Sequence, residues 1–145
     1  MKKYTSEPEI LALAREFENG TISRDKWNHA EHLTVGFYFI KNSSSLPEAT
    51  DRMRGGILNL LKSFGVDLLK EMPYHETLTC FWMQAIDSFT RSNVNTSIVE
   101  VCNELVLELG KDLPLKFYSR ELLFSEKVRA EFVEPDLQNF CQEAF

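Results

Sequence analysis

The sequence predicts an all-α protein, a single-domain bundle of five or six helices spanning residues 1–145. Apolar residues recur at the 3.6-residue period in one segment after another. Helix-capping signatures stand in front of most of those segments. Hairpin dipeptides and alternating β-branched runs, the marks of strands, are missing.

Taken in order, Ser6 to Glu9 ("SEPE") form a capping box with Pro8 in the first turn. Ile10, Leu13, Ala14 and Phe17 then follow on one face, and Gly20 stops the helix. Asn28, with Glu31 three residues on, opens a second helix to about Lys41. The linker "SSSLPEA" ends in a proline that starts a third helix, carrying Met53, Ile57, Leu60, Leu61 and Phe64 and ending at Gly65. Gly55 and Gly56 either weaken this helix or let another backbone approach closely.

"GVDLLKEMP" reads as a loop, and Pro73 leads into a fourth helix from about Tyr74 to Arg91. After the connection "RSNVNTS", Ser97 and Glu100 cap a fifth helix that ends at Gly110. Its Ile98, Cys102, Leu105 and Leu109 face inward, while Glu100, Glu104 and Glu108 form a solvated acidic row. The remainder holds one or two shorter helices, with Ser119 and Ser125 as caps.

Composition narrows the function. A hydrophobic share of 43% with 26% charged residues suits one folded soluble domain. A net charge of −6 without a dense basic run repels phosphate backbones, so no nucleic-acid partner is expected. The longest apolar run, "VGFYFI", is too short to span a bilayer, and no apolar segment follows "MKK" as in a signal peptide. Three cysteines, widely spaced and odd in number, suit a reducing compartment. The expectation is a cytoplasmic protein with no membrane partner; oligomeric state is not encoded in any pattern.

The chemistry-bearing residues centre on three histidines, in "WNHAEHL" (Trp27 to Leu33) and "PYHETL" (Pro73 to Leu78). On a helical projection His29 shares a side with Leu33, Gly36, Phe37 and Ile40, and His32 lies at its border. His75 stands near the face made by Leu78, Trp82, Ile86 and Phe89. Short connections make successive helices antiparallel, so the second and fourth run parallel and begin at the same end of the bundle. The three imidazoles are expected to converge there.

Two site chemistries compete, and a structural reading stands beside them. His29, His32 and His75, completed by Glu76 or Glu31, would suit a divalent metal such as Zn, Fe, Mn or Ni. Helix N-termini instead favour an anion, so the partner would be a small-molecule ligand carrying a phosphate or carboxylate. In either case Trp27, Tyr74, Thr79, Trp82 and Arg120 are candidate substrate-binding residues, and His29, His75 and Tyr118 candidate catalytic ones. Alternatively the histidines only stabilise helix ends in a non-enzymatic structural or protein-interaction domain. Thr79 has a plain role too, bonding back to its own helix. Arg120 is expected to pair with a surface carboxylate, and Cys80 faces away from His75, which argues against a Cys–His nucleophile.

"WNHAEHL", "YHETLTCFW", "FYSRELLFS" and "EPDL" together resemble an uncharacterised family of small bacterial all-α proteins. The family pattern runs through Trp27, His29, His32, Leu33, Tyr74, His75, Thr77, Phe81, Trp82, Tyr118, Ser119 and Glu134 to Leu137. The resemblance spans most of the chain and implies a single-domain bacterial cytosolic protein, without attaching an activity. Phe117 departs from the pattern, which carries a second tyrosine before Tyr118.

Overall fold

A computed structural model describes residues 3–67, 73–92 and 97–140. Parts of the expected loop at 65–73 and of the connection at 91–97, together with Cys141, lie outside the described residues. Among the described residues the regular structure is seven α-helices and two short 3-10 turns, with no strand. Five helices are long: α1 (Glu7–Asn19), α2 (His29–Lys41), α3 (Leu46–Ser63), α4 (Glu76–Ser92) and α5 (Ile98–Glu108). The chain then makes a 3-10 turn at Leu113–Lys116 and two helices of about one turn, α6 (Arg120–Leu123) and α7 (Glu126–Ala130). Those last two raise the number above the five or six expected.

The caps are where local chemistry places them. Ser6 with Glu9 and Asn28 with Glu31 form complete capping boxes, and Gly20 ends α1 in the left-handed region at φ 69°. Ser97 and Ser119 each accept an amide hydrogen bond three residues on, from Glu100 and Leu122.

α2 is the central element, packed against α1, α3, α4 and α5. Its burial is therefore not confined to a single stripe. Leu33, Val35, Phe37 and Phe39 are buried on different sides, and so is Thr34, whose hydroxyl donates to Ala30 O at 2.9 Å and accepts from Tyr4 Oη at 2.8 Å. A helix surrounded on all sides loses the amphipathic signature on which a projection depends.

Two glycines set helix spacing. A Cβ at Gly36 would stand 2.8 Å from Ile86 Cδ1, so α2 and α4 meet closely there. At Gly56 a Cβ would collide with the Phe17 ring, so an aromatic side chain from α1 fills the space. His29 at the start of α2 meets Trp82 of α4, while Gly36 meets Ile86 further along both helices. The two helices thus run parallel, as the short connections predict.

The C-terminal segment is strapped across α4 by hydrogen bonds. The fully buried Thr77 hydroxyl donates to Glu131 O at 3.0 Å and accepts from the Val133 amide at 3.1 Å. Tyr118 Oη donates to Val133 O at 2.6 Å. Asp136 accepts from both the amide and the hydroxyl of Ser119, at 2.8 and 2.6 Å. The Leu137 amide donates to Phe117 O, and Phe140 packs on Phe81 and Phe117.

Candidate functional site

Each of two histidines begins a helix and ties down the end of another. His29, the first residue of α2, sets Nε2 at 2.8 Å from Leu109 O, at the C-cap of α5. His75 stands one residue before α4, rather than within its first turn. Its carbonyl accepts from the Thr79 amide, which makes it the N-cap. Its Nδ1 accepts from the Leu78 amide at 3.1 Å, the role a serine or aspartate usually plays. Its Nε2 lies 2.8 Å from Leu123 O, the last residue of α6.

These partners set the tautomer. An amide can only donate, so His75 Nδ1 carries no proton; a carbonyl can only accept, so Nε2 carries one. Burial, with the Arg129 charge nearby, holds the His75 pKa below the ordinary histidine value, against the opposing bond to Leu123 O. The ring is a neutral strut between two helix ends.

His32 is different. Its Nε2 is buried without a hydrogen-bond partner among the described residues, and the Trp27 ring lies 5.8 Å away. Burial, reinforced by His29, drives its pKa down to about 4. Trp27 itself stacks on Phe17 at 5.0 Å, so it belongs to the core.

Glu76 turns away from the imidazoles. Arg54 of α3 grips both its oxygens, through Nε at 2.7 Å and Nη2 at 2.6 Å. Tyr74 Oη donates to Oε1 at 2.7 Å and Cys80 Sγ to Oε2 at 3.2 Å. Burial alone would raise the Glu76 pKa; the Arg54, Tyr74 and Cys80 bonds outweigh it and hold the carboxyl below its usual range. The same cluster pushes the Cys80 thiol up to about 11, chiefly by burial, which leaves it a poor nucleophile. Glu31 is occupied as well, by the Asn28 amide and by Lys3 Nζ at 2.9 Å. Among the described residues no three His, Cys, Asp or Glu side chains are grouped so as to hold a metal ion.

A cavity lies on the other side of His75. A cleft of about 390 Å³ is walled by Pro73, His75, Leu78 and Trp82 on one side. Lys111, Asp112, Pro114 and Leu115 from the 3-10 turn, with Arg120, Leu123, Phe124 and Arg129 from α6 and α7, make the other. Three cationic side chains face one acidic one in a chain whose net charge is −6. Phe124, 62% exposed, stands at the rim. His29 contributes indirectly, its ring meeting Trp82 edge-on at 4.8 Å.

Of the candidates read from sequence, His75, Trp82 and Arg120 therefore meet in one cleft. Arg120 forms no ion pair with a described residue, contrary to the surface pairing expected of it. Thr79 is buried and bonds back to His75 O at 3.2 Å, while Tyr118 and Tyr74 serve the tail strap and the Glu76 cluster. Lys111, Asp112, Leu115, Phe124 and Arg129 were not singled out from sequence. A signal for them exists, since residues 111–129 carry five basic and three acidic residues in an otherwise acidic chain.

No helix among the described residues is long and apolar enough to cross a membrane. Comparison with protein-family models, with curated proteins and with solved structures found no match to this chain.

Proposed function

We propose that this protein binds a small organic anion in the cleft beside His75. The observation that carries this is the gathering of Lys111, Arg120 and Arg129 around an apolar wall in an acidic chain. Cations held together in a concave, partly dry site attract an anion more strongly than the same cations spread over a surface. What supports a metal-free site is the state of the would-be ligands: both His75 nitrogens and both Glu76 oxygens are already hydrogen-bonded.

Calorimetric titration with a panel of small carboxylates and phosphates tests the proposal. Saturable binding that weakens in Lys111→Met and Arg120→Met is the expected result. A panel without a single binder sinks it.

A second reading has its own observation. The Nε2 atoms of His29 and His75 both rest on backbone carbonyls at helix ends, which suits a structural or protein-interaction domain in which the imidazoles are braces. Under that reading His75→Gln loses stability and there is no ligand affinity to lose.

A further inference from the structure

We infer that the ligand of this cleft is a monocarboxylate with a compact apolar body, an arylacetate or medium-chain acyl acid in kind. The inference rests on the reading of the cleft as an anion site and adds the chemical class.

Size sets the first limit. At about 390 Å³ the cleft lies at the small end of ligand pockets, which run from ~300 to ~1,000 Å³. A ring or short chain with one acid group fits that volume better than a nucleotide.

Charge sets the second. Lys111 and Arg120 form no ion pair with a described residue, and Asp112 lies in the same wall. With Arg129 the cleft's four charged side chains sum to two net positive, which holds a monoanion with Asp112 beside it. A phosphate monoester, near dianionic at neutral pH, would meet the Asp112 carboxylate as well.

Donor geometry sets the third. Phosphate sites draw on free backbone amides at helix starts. Here two amides at helix starts near the cleft are taken: that of Leu78 by His75 Nδ1, and that of Leu122 by Ser119 Oγ. The cleft's side chains supply donors of their own, and the planar Arg120 guanidinium matches a carboxylate with two parallel bonds.

The apolar wall completes the class. Leu78, Trp82, Leu115 and Leu123 offer hydrocarbon, and Phe124 offers an exposed ring at the mouth. His75 adds the face of a ring whose nitrogens are both engaged, so it serves as wall rather than as donor.

The test uses phenylacetate and hexanoate as probes on the full chain, with acetate, phenylacetamide and phenyl phosphate as comparators, read by calorimetry. Phenylacetate or hexanoate should bind about ten-fold or more tightly than acetate, which lacks the apolar body, and than phenylacetamide, which lacks the charge. Arg120→Met should remove about ten-fold of that affinity, and Phe124→Ala a smaller part, with both variants melting like the wild type because both side chains are exposed. Phenyl phosphate binding more tightly than phenylacetate overturns the inference and leaves the anion site standing. Equal binding of phenylacetamide, or unchanged affinity in Arg120→Met, overturns it too. If neither carboxylates nor phosphates bind, the inference and the anion-site reading fail together.

Discussion

His75 and Glu76 are neighbours in sequence and end in opposite surroundings. Glu76 enters a closed cluster in which Arg54, Tyr74 and Cys80 occupy its oxygens. His75 turns to the other side of α4 and becomes one wall of a cleft whose cations Lys111 and Arg120 have no carboxylate partner among the described residues. His75 is the cap and Glu76 the first residue of the helix, so the chain turns between them. That turn divides a polar group closed on its own partners from one that walls an open cleft. His32 is the limiting case, a buried nitrogen with no hydrogen-bond partner among the described residues.

Acid should break the comparison hardest, through His32. Its folded pKa of about 4 lies below the ordinary 6.5, so the unfolded chain takes the proton first. Stability is then full above pH 6.5 and declines as the pH falls toward 4, by roughly 3 kcal/mol from this ring. His75, shifted the same way, adds to the slope. Urea unfolding at a series of pH values measures it, and His32→Leu should flatten the curve.

Next comes the closed cluster. Arg54→Met leaves the Glu76 carboxylate half-buried without its cation and should cost about 2–3 kcal/mol, less than a fully buried pair because Arg54 is 31% exposed. Phenylacetate affinity should stay within about two-fold, since the cluster lies off the cleft. A large change in affinity would mean that the two sides of α4 are not separate.

His75→Ala removes an N-cap acceptor and a donor to Leu123 O together, a loss of about 2 kcal/mol in chemical denaturation. His75→Asn, which keeps a capping acceptor, should recover part of it. At neutral pH His32→Leu should move the other way and raise stability by about 1 kcal/mol, because it deletes a buried polar atom without a partner. The smallest effect belongs to Arg120→Met, within about 0.5 kcal/mol of wild type in the same denaturation.

The sequence makes the helix starts legible because capping is a local transaction. Ser6, Asn28, Ser97 and Ser119 act within three residues of themselves. The parallel run of α2 and α4 follows from short connections. The cleft was half legible: His75, Trp82 and Arg120 stood out, while Lys111 and Phe124 did not. Their place depends on how α6 and α7 fold back over α4, a contact between segments about fifty residues apart that no local period encodes. The sides taken by His75 and Glu76 were hidden for a narrower reason. His75 is the cap rather than a helical residue, and one position of register decides which side a polar group joins.

The strap of the C-terminal segment over α4 has a consequence in time. Helices close within themselves in about a microsecond, whereas joining residues far apart in sequence comes late in folding. Thr77 waits for Glu131 and Val133, and His75 waits for Leu123. On a chain made from its N-terminus, α1 to α5 emerge before the partners that seat α6 and α7 against them. The cleft then takes shape only after α1 to α5 have emerged, once α6 and α7 can seat against α4.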